Sequence, residues 1–174
     1  MRRPVLFVLG GSAGAALDQI HVRTGVLSYP GASRLGQPWW VGPQFGVAAV
    51  GILDTARLFA VGVDDPTPGQ VLSDIGWFLA SYVATGLIRR RPLALGAGLL
   101  VSFVGRISRR SDWRWVAGYA TLLAAVGCWY EHRLAAIDAF EYSDPVLGNV
   151  PPWLPGLYAQ GAPLALDLAR SLSA

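Results

Sequence analysis

Six apolar stretches, at positions 4–20, 39–63, 71–88, 93–107, 113–130 and 153–172, alternate with short polar breaks. Most reach the ~17 to 25 residues that a helix needs to cross a ~30 Å hydrocarbon core. The fourth, at about 15 residues, needs local thinning of the bilayer or burial between neighbours to cross. The breaks are rich in turn formers: Ser28-Tyr29-Pro30-Gly31, Asp64-Asp65-Pro66-Thr67-Pro68-Gly69, Asp144-Pro145, and Pro151-Pro152 just before Trp153. Aromatic anchors stand at the ends of the stretches, with Trp39-Trp40, Trp113, Trp115, Trp129-Tyr130 and Trp153 placed as at a membrane–water interface. The pattern predicts an all-α fold, a polytopic membrane protein built as a six-transmembrane-helix bundle, in a single domain over residues 1–174.

Composition strengthens that reading. The chain is 53% hydrophobic and only 14% charged, with a mean hydropathy of +0.41, whereas an ordinary soluble domain carries roughly 25% charged residues. All 14 basic residues are arginine, as a GC-rich genome would produce, which points to a bacterial source and hence to the inner (plasma) membrane. With the N-terminus inside and six spans, the inside holds Arg2, Arg3, Arg57, Arg106, Arg109, Arg110, Arg114 and Arg170. The outside holds Arg23, Arg34, Arg89, Arg90, Arg91 and Arg133, so the excess lies inside. The triplet Arg89-Arg90-Arg91 and the 106–114 cluster flank one short stretch, which leaves five spans as the alternative. A net charge of +3 does not indicate nucleic acid, because the arginines fall in short groups between apolar runs. Cys128 is the only cysteine, which excludes a disulfide framework or a cysteine-based metal site within one chain. The opening Met-Arg-Arg resembles a signal peptide, but Asp18-Gln19-Ile20-His21 stands where a cleavage site would be, so the first helix is expected to be retained.

An ionisable side chain at membrane depth costs on the order of 2.5 to 3.5 kcal/mol, so each one asks for a partner. Asp18 and His21 have the spacing of an i, i+3 pair at the outer end of the first span. Asp54 and Arg57 repeat it near the inner end of the second, and Asp74 lies across a short loop, so these three are expected to form one structural ion-pair group. On that basis Asp54→Ala should destabilise the bundle more than Asp18→Ala. Glu131, His132 and Arg133 follow an aromatic span end where headgroups and water solvate them. Gly10, Gly11 and Gly14 lie inside the first span, where small residues permit close helix packing rather than phosphate cradling.

Three segments together resemble the Insig family, polytopic membrane proteins that bind oxysterols and hold sterol-regulatory partners. They are Val5-Leu6-Phe7 with Leu17-Asp18-Gln19-Ile20-His21 and Leu27-Ser28-Tyr29-Pro30; then Trp39-Trp40-Val41-Gly42-Pro43; then Phe140-Glu141-Tyr142-Ser143-Asp144-Pro145 with Trp153-Leu154-Pro155. The middle third matches poorly. The resemblance implies six spans, both termini cytoplasmic, and a lipid cavity facing the bilayer. It also places Asp112 near the family's cytosolic partner-binding aspartate.

The expected function is therefore membrane lipid binding. An intramembrane cavity would hold a neutral glycerolipid such as diacylglycerol, or a sterol-like molecule, with Gln19 as its polar end and Trp40, Gln44, Trp77 and Tyr82 lining it. No catalytic residue, metal site or cofactor is assigned, since no HExxH pair, GxSxG elbow or aspartate-rich repeat occurs. The alternative is an integral membrane enzyme of lipid metabolism using Asp18, His21 and His132. A transporter ranks below both, for want of internal repeats. The partners expected are membrane lipid and further copies of the chain, through Gly96, Gly98 and Gly105; nothing indicates which hetero-protein, if any, Asp112 would bind.

Overall fold

A computed structural model describes residues 3–32, 35–60, 65–88 and 90–172. Arg2, Arg34, Val63, Asp64 and Arg89, which entered the reading of charge placement and span limits, lie outside them. The helices are α1 (Arg3–Thr24), α2 (Val41–Phe59), α3 (Pro68–Leu87), α4 (Pro92–Ile107), α5 (Trp113–Ala135) and α6 (Leu154–Ser171). Each falls on one of the six apolar stretches. Local chemistry sets several starts: Pro68 and Pro92 open α3 and α4 with a pre-set φ, and the Thr67 hydroxyl caps α3 by accepting from the Gln70 amide at 3.2 Å. The one departure from an all-helical reading is a two-residue ribbon, β1 (Leu27–Ser28) against β2 (Glu141–Tyr142), antiparallel, with Leu27 opposite Tyr142. It ties the α1–α2 loop to the α5–α6 loop, a pairing across more than a hundred residues that no local pattern announces.

Helix α6 is the axis of the bundle. It packs on α2, α3, α4 and α5, and it is buried around most of its circumference, from Leu154 to Ala169. A helix hydrophobic on all sides belongs in an interior. Helices α1 and α2 approach backbone to backbone: a Cβ on Gly11 would stand 2.7 Å from the Gly42 carbonyl oxygen, and one on Gly46 would strike the Phe7 ring. The glycines of the first stretch therefore serve close packing.

Successive helices alternate in direction, so the starts of α1, α3 and α5 share one end with the finishes of α2, α4 and α6. We call it the inner end, after the orientation expected from the arginines. The short helix α4 runs the full distance. Near its start Gly96 sits against the Pro152–Trp153 backbone, while at its finish Arg106 bonds Asp74 at the opposite end of the bundle. The five-span alternative is thereby removed. Ionisable side chains gather in two layers, Asp54, Asp74, Arg106, Asp167 and Arg170 at the inner end and Asp18, His21 and Glu131 at the outer. Between them, Val8, Val47, Leu79, Val101 and Val126 stand exposed on the outward faces, an exterior suited to hydrocarbon rather than water. Taken singly, and among the described residues, only α1 is both long and apolar enough to cross a bilayer, and α4 is apolar but shorter. The charged end layers lower the mean hydropathy of the rest.

Candidate functional site

Helix α4 rests on α6 and barely touches α5. The gap between α4 and α5 is a cleft of about 810 Å³ floored by α6, within the ~300–1,000 Å³ of small-molecule sites. Leu100, Phe103, Val104 and Ile107 form one wall, Ala117, Ala120, Ala124 and Ala125 the other, and Pro155 and Ala159 the floor. Alanines on α5 and α6 make the room; larger residues would close it. No carboxylate or guanidinium lines the cleft. Its polar groups are Ser108 and Trp113 at the inner mouth and Thr121 and Cys128 along α5. The hydroxyls of Ser108 and Thr121 already donate to carbonyls of their own chain, at 3.1 Å to Gly105 and 2.9 Å to Ala117, and their lone pairs remain to accept.

None of the five expected ligand residues lines this cleft. Gln19 donates to the Leu35 carbonyl at 3.1 Å and fastens the α1–α2 loop. Trp40 packs edge-on against Tyr29, with centroids 5.6 Å apart. Gln44 is half-buried on α2. Tyr82 is buried and stacks on His21 at 4.6 Å, and Trp77 lies on the other side of α4, over the Arg106 guanidinium at 5.1 Å. The sequence placed the polar end at the outer face through Gln19, whereas the cleft carries its polar mouth at the inner face.

The outer layer is a set of separate hydrogen bonds. Asp18 accepts from the Tyr29 hydroxyl at 2.9 Å and from Gln37 at 2.6 Å. His21 bonds the Thr85 hydroxyl at 2.9 Å, so the expected Asp18–His21 pair does not form. Glu131 is not left to solvent but accepts from the Tyr142 and Tyr158 hydroxyls. His132 packs against the Gly148 turn. Among the described residues no bond joins any two of Asp18, His21 and His132, and no three metal-binding side chains cluster.

At the inner end Asp54 and Arg57 bond at 2.7 Å, with Arg3 at 3.0 Å from Asp54. Asp74 does not join them. It lies on the far side of α6 in a second network with Arg106, Arg110, Asp112, Asp167 and Arg170. Asp167 and Gln160, both fully buried on α6, were not singled out in the sequence, although Asp167 stands i, i+3 from Arg170. Asp112 is buried, with one oxygen on Arg110 at 2.8 Å and the other on Arg110 and Arg170. Burial opposes its ionisation, but the hydrogen bonds from Arg110 and Arg170 and their charges hold it at about 2. Its carboxylate organises the α4–α5 loop from within rather than facing outward to a partner. Burial likewise works against the Arg110 charge, and the bonds to Asp112 and Asp167 outweigh it, so its pKa is raised.

No family model and no curated protein matches the sequence. Two solved structures do match in fold. A cross-linked MvINS trimer superposes with a TM-score of 0.82 over 98% of this chain and 93% of that one, at 24% identity. MvINS itself, a mycobacterial Insig homologue from Mycobacterium vanbaalenii, gives 0.80 over 97% and 92%, at 24% identity. The chain has the Insig fold. Within it, the Insig-like segments recognised in the sequence lie mainly around the outer layer, where Tyr29, Trp40, Phe140, Tyr142 and Trp153 pack edge-to-face through centroid distances of 5.5 to 6.0 Å. The resemblance therefore follows mainly residues that close one end of the Insig fold; of the residues that carry it, Pro155 alone lines the cleft.

Proposed function

We propose that this is a multi-pass protein of a bacterial inner membrane, a single Insig-like transmembrane domain over 1–174, that binds one neutral lipid in the cleft between α4 and α5. The observation that carries the reading is the chemistry of that cleft: about 810 Å³, open toward the bilayer side of the bundle, and free of charged lining. A phosphate or ammonium head inside it would be stripped of water with no counter-charge, which costs several kcal/mol. A hydroxyl head needs one or two hydrogen-bond partners. Ser108 and the Trp113 ring nitrogen at the inner mouth supply an acceptor and a donor. Diacylglycerol has that chemistry, and a sterol-like molecule shares it. The role we infer is binding rather than catalysis, because of the three groups an enzyme reading requires Asp18 and His21 bond to different neighbours and His132 lies apart from both, beside Gly148. The cross-linked MvINS trimer supports self-association. In this chain Gly98 is open on α4, whereas Gly96 is covered by Pro152 and Trp153 and is unavailable.

Lipid analysis by mass spectrometry of gently extracted protein tests the proposal. A neutral lipid near one per chain, enriched over its share of the membrane, is the expected result. Bulk phospholipid in bulk proportions is the result that rejects it.

A further inference from the structure

Helix α4 has a second gap on its other side. Between α3 and α4, at the inner end, lies a cavity of about 740 Å³ whose lining is polar: Gln70, Ser73, Asp74 and Trp77 from α3, Ser102 and Arg106 from α4, Arg109 to Asp112 from the loop, and Arg170 from α6. The network behind it is saturated in acceptors and not in donors. Both oxygens of Asp74, Asp112 and Asp167 already accept from Arg106, Arg110 or Arg170. Three guanidiniums carry more N–H groups than three carboxylates and Gln160 take up. The Nε of Arg170, on a side chain only 5% exposed, is buried with no partner. Arg109 lines the cavity with no partner among the described residues, and the Ser73 and Ser111 hydroxyls and the Gln70 amide are likewise uncommitted. Trp77 lies over the Arg106 guanidinium and holds its plane. Of the acidic lining residues only Asp65, exposed on the α3 rim, is not engaged by an arginine.

We propose that this cavity binds a phosphate group through Arg109 and Arg106, with the uncommitted hydroxyls and amide completing the shell. A phosphate offers acceptors on every side and suits a planar guanidinium fork, which a cavity with surplus donors requires. The three buried carboxylates balance Arg106, Arg110 and Arg170, so Arg109 is the cation left over on the exposed side, opposed only by Asp65 at the rim. The gap between α3 and α4 opens at the face where the arginine excess lies, which is where an acidic phospholipid of that leaflet presents its head. Free phosphate in the adjoining water has the same chemistry. The site lies across α4 from the apolar cleft and shares only Ile107 with its lining, so either can be lost without the other.

Native mass spectrometry from nanodiscs of phosphatidylcholine with phosphatidylglycerol tests it on the whole chain, beside thermal melting in detergent with inorganic phosphate against chloride at equal ionic strength. The expected result is one phosphatidylglycerol retained selectively per chain. Arg109→Gln, at an exposed position with no bonds to lose, lowers that retention about tenfold, Asp65→Asn raises it, and Arg114→Gln, in the first turn of α5 and outside the cavity, leaves it unchanged. A phosphate-dependent rise in melting temperature, abolished by Arg109→Gln and without phosphatidylglycerol selectivity, supports the site with free phosphate as its ligand. Equal losses in Arg109→Gln and Arg114→Gln, or neither selectivity nor a phosphate shift, overturn the proposal.

Discussion

Replacing Asp167 with alanine is a perturbation for which the structure sets a large electrostatic penalty. Its carboxylate is fully buried on α6 and accepts from Arg110 at 2.7 and 3.2 Å and from Arg170. Side chains of both arginines are no more than 12% exposed. Removing one partner of a buried pair leaves charge without compensation, at a cost of about 3 to 5 kcal/mol. Asp54→Ala breaks a comparable number of ion pairs, but there the side chains of Asp54, Arg57 and Arg3 are 30%, 35% and 74% exposed, and screened pairs of that kind are worth about 0 to 1 kcal/mol. Unfolding free energies measured in one bicelle composition should therefore separate the two variants by at least about 2 kcal/mol, and Asp167→Asn should fall between them because the amide oxygen still accepts one arginine. The reasoning is refuted if Asp167→Ala is no more damaging than Asp54→Ala.

Asp18→Ala is expected to destabilise more than Asp54→Ala, the reverse of the order expected from sequence, because Asp18 is 3% exposed and its loss takes the acceptor from the Tyr29 hydroxyl and one bond from the Gln37 amide; melting temperatures in one detergent decide the order. Gly11→Val forces α1 from α2 against backbone and should cost about 1 to 3 kcal/mol, while Gly98→Val, with open space beside it, should leave the monomer's melting unchanged; equal losses contradict the α1–α2 contact. Asp112 titrates at about 2 in the fold against an ordinary 3.8, so its contribution, about 2 kcal/mol at 1.36 kcal/mol per unit, is complete above pH ~4 and is lost as pH falls toward ~2. Asp112→Asn should start less stable at neutral pH and show a flatter acid limb by pH-dependent unfolding; parallel curves count against the ion-pair account.

The helices were legible because each is a run of apolar residues bounded by proline, glycine or interfacial tryptophan, and that pattern is local. That α1 packs closely on a neighbour was legible in Gly10, Gly11 and Gly14 on one helix; that the neighbour is α2 was not. The sites were not. Asp74 looked like a second carboxylate for Arg57 beside Asp54 because a short loop separates their helices, but its arginines come from 32 and 36 residues away, and only the position of α6 decides on which side of the bundle it points. Gln19 is a neutral amide in the right stretch, yet the turn of α1 and the return of the loop give it Leu35 as a partner. The cleft is made by alanines on α5 and by the short α4 failing to close on that helix, and an absence of bulk leaves little trace in a sequence already rich in small residues.

Covalent mapping decides whether a neutral lipid occupies the cleft between α4 and α5. A photoreactive diacylglycerol carrying a click handle is fed to cells making the protein, cross-linked in native membranes, and the adducts are located by mass spectrometry. The account predicts adducts on the cleft walls and floor, at residues such as Phe103, Ala120 and Ala159, and their loss in Ala125→Trp, which fills the cleft from an exposed position. Adducts centred on Gln19, Trp40 and Tyr82, or spread over the outer faces of all six helices and unchanged by Ala125→Trp, would contradict it.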